Sequence, residues 1–379
     1  MSLLWMTFIP FAYILLRAIL PHARSLRCRL AFGVVLFAAA FAFPILLVSA
    51  EPPLLDPVLP GWIIILAAWE FAAVWIFFVL LLVADAARLA VRLTCGALRR
   101  KLPAKAPEFN ACVNIILLVA ASMIAAVGMC NGKKPPEVRR STYVDRNLPR
   151  ELDGFTIVLL ADLHIGRLSL REDVEEIVRR ANALDPDIIV IAGDVVSGTV
   201  RDLGDKAAPL ADLRAKYGVF CVPGNHDYYS GYPEWRKYFE DRGFVMLENS
   251  HRLLPGKLAV AGITDPDARW FGEPSPDLDA ALRDIPKTSF KLLISHQLKN
   301  VHEAQEKGVD LQLSGHTHGG IVIGLDRLIA YKNGGFVAGW YRIGDMALYV
   351  SRGTSQRQNF PIRLGVPSEI ALITMSRGE

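Results

Sequence analysis

The polar and apolar positions of this chain fall into two regimes. Residues 30–50 carry no charge, residues 62–84 carry only Glu70, and residues 111–130 again carry none. Each run is close to the ~20 residues with which a helix crosses about 30 Å of hydrocarbon. Residues 3–20 form a weaker fourth run that contains Pro10 and Arg17, the latter near its end, where a long side chain can snorkel to the interface. Runs of this length in succession do not fit the buried helices of a globular core. The uncharged start, Met1-Ser2-Leu3-Leu4, lacks the positive region of a cleavable signal peptide. The pattern predicts a membrane domain over residues 1–130 with about four transmembrane helices.

Lys133-Lys134-Pro135-Pro136 then marks a linker, residues 131–150. From 151 to 379 the apolar runs shorten to strand length: 156–160, 187–191, 219–222, 258–261, 290–294, 310–313, 346–350 and 369–374. Between the first two, Val174, Ile177, Val178 and Ala181 recur at helical spacing within residues 171–184. Runs of Leu, Ile and Val bounded by Gly and Asp predict buried strands of an α/β sheet.

Composition adds little, because the 52% hydrophobic share of the 379 residues reflects the first 130. The net charge of +4 does not argue for nucleic acid, and no basic stretch interleaved with aromatics appears, so no nucleic-acid partner is expected. The placement of Lys and Arg says more. Arg24, Arg27 and Arg29 follow the first run, and Arg88, Arg92, Arg99, Arg100, Lys101 and Lys105 follow the third, nine positives on one side. The other side has none in loop 51–61 and five after the fourth run: Lys133, Lys134, Arg139, Arg140 and Arg146. Nine against five predicts both termini outside the cytoplasm. The five cysteines (Cys28, Cys95, Cys112, Cys130, Cys221) show neither zinc-ligand spacing nor a disulfide framework and are expected to be packing residues. Glu70, an ionisable group inside a span, leaves two readings equally open, a functional role or a structural contact between helices.

The chemistry lies in what ends the strands. Asp162-Leu163-His164, Asp194, Asn225-His226-Asp227, His296 and His316-Thr317-His318 each follow an apolar run, and five of the eight histidines fall in these clusters. Ligands on open α/β sheets collect at the carboxyl ends of strands. Alternate residues such as Asp162/His164 and His316/His318 point to one side of an extended backbone. Carboxylate, imidazole and amide oxygen together suit Mn, Fe, Zn or Mg, and no cysteine joins them, which excludes a structural thiolate zinc site. Seven candidate ligands exceed one tetrahedral ion and fit two metals with an open face.

At these residues the chain resembles the calcineurin-like metallophosphoesterases, through Asp162-Leu163-His164, Gly193-Asp194, Gly224-Asn225-His226-Asp227, Ser295-His296-Gln297 and Gly315-His316-Thr317-His318. The resemblance covers roughly residues 136–375, and the motifs look most like a bacterial branch of membrane-bound or exported phosphodiesterases. It implies a four-layer α/β/β/α sandwich. It also implies that Asp162, His164 and His318 hold one divalent metal, that Asn225, His296 and His316 hold the other, and that Asp194 bridges both. His226 would be the acid at the leaving oxygen. Three positions depart from the family pattern: Ser197 stands where many relatives have an Asp that orients the acid histidine, Ile321 replaces a glutamine, and Leu298 replaces a proline. Arg352 and Arg363 resemble positive positions that bind substrate phosphate, with structural roles equally open, while His251, His302 and Asp265 are expected to be ordinary structure.

The expected function is a two-metal phosphodiesterase of the bacterial cell membrane, with its catalytic domain outside the cytoplasm and amphiphilic phosphates, such as phospholipids or lipid-linked nucleotides, as substrates. The rivals are a pyrophosphatase like those acting on UDP-diacylglucosamine, which needs a cytoplasmic site, and a non-catalytic membrane module on the same fold. A protein phosphatase is disfavoured, because that branch's Gly-Asp-x-x-Asp-Arg-Gly run is absent.

Overall fold

The computed structural model describes residues 3–49, 57, 59–97, 107–357 and 359–378. The chain divides into two compact units, Met1–Cys130 and Asn131–Glu379.

The first unit is helical. Helix α1 (Leu3–Ile14) runs into a π-helical turn (Leu15–Ile19) and is followed by α2 (Leu26–Ser49), α3 (Gly61–Ala97) and α4 (Pro107–Gly132). Three of these, α2, α3 and α4, are long and apolar enough to cross a membrane, while Leu3–Ile19 is a shorter apolar helix. The expected four spans are therefore three long helices and a short one, whose 17 residues rise only about 26 Å. Arg17 does not snorkel: it pairs with Asp85 of α3 at 2.6 Å, and Tyr13 and Arg88 bond the same carboxylate. Trp69 of α3 donates to the Ser122 carbonyl of α4 at 3.1 Å. Glu70 is half-buried and has no hydrogen-bonded or ionic partner among the described residues. Leu30, Val34, Ile116 and Val119 remain exposed, as side chains facing hydrocarbon do. Of the cysteines only Cys221 is buried; Cys28, Cys112 and Cys130 are exposed on apolar helices, so packing inside the protein does not account for them.

The second unit contains twelve described strands: β1 (Glu137–Val144), β2 (Thr156–Leu160), β3 (Ile188–Ala192), β4 (Val219–Val222), β5 (Val245–Met246), β6 (Ser250–Leu254), β7 (Leu258–Gly262), β8 (Phe290–Ile294), β9 (Leu311–Ser314), β10 (Gly339–Ile343), β11 (Met346–Val350) and β12 (Glu369–Ser376). They form two six-stranded sheets, in the orders β1-β12-β2-β3-β4-β5 and β10-β11-β9-β8-β7-β6. Alternation along each strand builds the layers. Ile157, Leu159, Ile188 and Val190 meet Leu258, Val260, Leu292 and Leu311 in a core between the sheets. Val158, Leu160, Ile189 and Ile191 face outward onto helices α5 (Arg171–Asn182), α6 (Val200–Ala207) and, beyond the short α7 (Asn225–Tyr229), α8 (Tyr232–Glu240). Ala259, Ala261 and Leu293 pack on the far side against α9 (Leu278–Leu282) and α10 (Val301–Glu306). The result is the expected four-layer α/β/β/α sandwich.

The segment 131–150 differs from the expected linker. Residues 137–144 are β1, paired in parallel with β12, and Tyr143 is buried in the core between the sheets. Charged Glu137, Arg139 and Arg140 hide the strand in the sequence, yet charge suits a sheet edge that must not pair further.

Candidate metal centre

Strands β2, β3 and β4 run parallel in one sheet, and β7, β8, β9 and β11 run parallel in the other. Their carboxyl ends deliver the polar clusters to one rim. The backbone turns sharply there: Asp162, His164, Asp194, His316 and His318 all have positive φ, a costly conformation that clusters at functional sites. Glycine makes the close approaches feasible. A Cβ on Gly224 would lie 2.3 Å from Asp194 Oδ1 and 2.4 Å from its backbone nitrogen.

Asp162, His164 and His318 bring ligand atoms within 4.8 Å of one another, and so do Asp194, His296 and His316. Asp194 Oδ2 lies 3.5 Å from His164 Nε2 and 3.2 Å from His296 Nε2, between the two groups. His164 Nε2 and His318 Nε2 are 3.0 Å apart, and His316 Nδ1 lies 3.3 Å from His296 Nε2. Ring nitrogens converge this closely when a cation lies between their lone pairs. His164 Nδ1 is held by Ser197 Oγ at 3.0 Å and His296 Nδ1 by the Ala192 carbonyl at 2.8 Å, which turns each Nε2 toward the centre. Asn225 Oδ1, an acceptor alone, is buried without a protein partner. The donor set and these orphaned atoms fit divalent cations.

Electrostatics agree. Burial, followed by neighbouring positive charges, lowers the pKa of His164 and His318 well below the imidazole range and that of His316 to about 3, so these rings present lone pairs at neutral pH. Burial also lowers His226. His296 goes the other way: Asp194 overcomes the burial cost and holds its proton. Burial lifts Asp162, whereas Asp194, surrounded by His296, His226 and His164, stays ionised against the same cost.

Residues 155–320 match the family described as calcineurin-like phosphoesterase. A "transmembrane protein with metallophosphoesterase domain" from Danio rerio is 32% identical over 275 residues, 69% of this chain and 62% of that protein. An "uncharacterized metallophosphoesterase" from Aquifex aeolicus is 32% identical over 247 residues, 63% of this chain and 91% of that protein. This chain belongs to the calcineurin-like phosphoesterase family. Another relative, from Helicobacter pylori strain J99, is 32% identical over 251 residues, 65% of this chain and 66% of its own length. Relatives thus occur in animals and bacteria alike, and the chain spans 58–66% of the length of the first curated relatives it matches. Members of the calcineurin-like family use a dimetal centre, and the clustered Asp and His side chains give this chain the donors for one.

The remaining polar residues sort by their contacts. The His226 ring stands edge-on to His164, centroids 4.6 Å apart, and its buried Nδ1 has no protein partner. Ser197 bonds to His164 and not to His226, so the family departure at this position bears on a candidate ligand. Asp227 accepts from the Val195 and Val196 nitrogens at 2.9 and 3.1 Å and from Gly224 at 2.8 Å, stapling the Asp194 loop to the Asn225 loop. Arg363 is buried and donates to the carbonyls of Val366 and Ser355, which is a structural role. Arg352 lies 3.9 Å from Glu369. Asp265 accepts from the Asp267 nitrogen and from Gln297 through Oδ1, while its buried Oδ2 has no partner among the described residues, and His251 bonds to the Ala281 carbonyl.

Proposed function

We propose that this chain hydrolyses phosphoester bonds, phosphodiesters in particular, with two metal ions, at the surface of a bacterial cell membrane and outside the cytoplasm. The observation that carries the reading is Asp194 Oδ2, which lies within 3.5 Å of His164 and 3.2 Å of His296 and so belongs to both ligand groups. Asp162, His164 and His318 would hold one ion; Asn225, His296 and His316 would hold the other. Two such ions would neutralise phosphoryl oxygens and supply hydroxide near neutral pH. His226, beside His164, would act as the acid at the leaving oxygen, the help that a poor alkoxide needs, although burial in the substrate-free site favours its neutral form. A non-catalytic role on the same fold is disfavoured, because every expected donor is present and the carboxylate and imidazole donors converge. Lys and Arg favour the external orientation, and apolar helices bring the domain to lipid, so phospholipids or lipid-linked nucleotides are the proposed substrates.

The test is purified full-length protein loaded in turn with Mn, Fe, Zn or Mg and offered aryl phosphodiesters, aryl phosphomonoesters and lipid-linked nucleotides. Chelator-sensitive cleavage with a preference for diesters supports the reading. Failure to cleave any ester with any of the four metals contradicts it.

A further inference from the structure

Helix α4 is long and apolar enough to cross a membrane, and it ends at Gly132, which already belongs to the α/β unit. Chain continuity puts Gly132 at the lipid–water boundary whatever the direction of the span, and Lys133 and Lys134 follow it at once. Gly132 packs so tightly on the Pro361 carbonyl that no Cβ would fit between them. From Pro361 the chain reaches Gly365 in four residues, at most about 14 Å. There it meets a second segment: the Ile323 nitrogen donates to the Leu364 carbonyl and the Leu364 nitrogen to the Ile321 carbonyl, both at 3.0 Å.

The segment held in this way, residues 321–332, turns large apolar side chains outward. Ile323 is 72% exposed, Leu325 46%, Leu328 44% and Tyr331 85%. Leu325, Leu328 and Tyr331 recur every third residue along the short helix α11 (Asp326–Lys332) and so share a face, and no residue of that helix is buried. Arg327 and Lys332 are exposed beside them. Leu170, also exposed, lines one cavity with Gly132, Lys133 and Lys134 and extends the apolar footprint beside the end of α4.

An apolar patch of this kind marks a binding surface, and the occupant that the chain itself supplies is the bilayer in which α4 ends. Apolar side chains bordered by Lys and Arg suit the boundary between acyl chains and headgroups. We infer that residues 321–332 form a second membrane contact of the α/β unit, with Ile323, Leu325, Leu328 and Tyr331 in the upper acyl layer and Lys133, Lys134, Arg327 and Lys332 at lipid phosphates. The contact reaches the metal centre. Only Gly319 and Gly320 separate the candidate ligand His318 from Ile321, and a Cβ on Gly320 would lie 2.6 Å from the Asp326 Cα, so α11 rests on the rim itself. Docking holds this part of the rim beside the headgroups. The inference requires α4 to cross the membrane and does not depend on hydrolysis.

The test is full-length protein in nanodiscs of phosphatidylcholine that carries a photoactivatable diazirine on its acyl chain, with labelled peptides located by mass spectrometry. Peptides of residues 321–332 should be labelled together with those of α4, which serve as the internal control. Ile323→Glu and Leu328→Glu should each lower labelling of residues 321–332 about tenfold or more, the factor set by one lost buried apolar side chain. Labelling of α4 and the melting temperature should stay at wild-type values in both variants. Wild-type discs in which α4 is labelled and residues 321–332 are not overturn the inference, and so does labelling that persists equally in both variants. Two chains per disc in wild type and one in Leu328→Glu, without lipid adducts on residues 321–332, would assign the face to a second copy and also overturn it. If a variant does not fold, the wild-type labelling decides alone. No readout involves turnover, so the hydrolase reading stands or falls separately.

Discussion

His226 shows what a single residue's surroundings can specify. Its ring faces His164 and lies 5.3 Å from Tyr229, whose hydroxyl donates to Asp267 at 2.5 Å. Among the described residues no carboxylate hydrogen-bonds the imidazole, and its buried Nδ1 has no partner. His226→Ala should reduce turnover of an alkyl diester about 10²–10⁴-fold and that of a nitrophenyl diester much less. Equal losses in steady-state kinetics would assign His226 to charge stabilisation instead. Ser197 acts one step further out, because its hydroxyl bonds His164 Nδ1 and holds the ring with Nε2 toward the centre. Ser197→Ala should weaken metal affinity about 10- to 100-fold by competition with a chelator; unchanged affinity would make that bond incidental. The seven donors and His226 were legible in the sequence because each lies in a short motif. The bond from Ser197 to His164 was not: it joins residues that only the folded chain brings together.

At the scale of elements, the buried strands were legible and the edges were not. Strands β2, β3, β4, β7, β8 and β9 are continuous apolar runs because both of their faces are covered. β1, β6 and β10 carry polar residues, as edges do, and read as linker or loop. In the membrane unit, the apolar run was expected to end at Ala84, which left Asp85 outside it; α3 continues to Ala97, and Asp85 is the residue that gathers Tyr13, Arg17 and Arg88. The turn at Gly224 is a further element whose geometry depends on one residue. Gly224→Ala forces a Cβ against Asp194, and overpacking of this kind costs about 1–3 kcal/mol. The variant should melt several degrees lower and lose metal at the Asp194 position; wild-type melting and metal content would show that the loop yields freely.

At the scale of the whole molecule, a unit with three helices long and apolar enough to cross a membrane precedes an α/β unit that carries the candidate metal centre. On the proposed orientation the positive stretches 20–29 and 88–105 face the cytoplasm, so protease added to intact spheroplasts should remove the α/β unit. Protection until lysis would reverse the orientation and favour a cytoplasmic lipid-nucleotide pyrophosphatase. The account as a whole depends on two ions sharing one carboxylate, and Asp194→Asn tests this most directly by removing the shared charge without changing size. Metal analysis of purified wild-type protein should give two ions per chain. In the variant, metal content should fall below two and turnover should drop by orders of magnitude. Two ions and near-normal turnover in Asp194→Asn would contradict the dimetal reading.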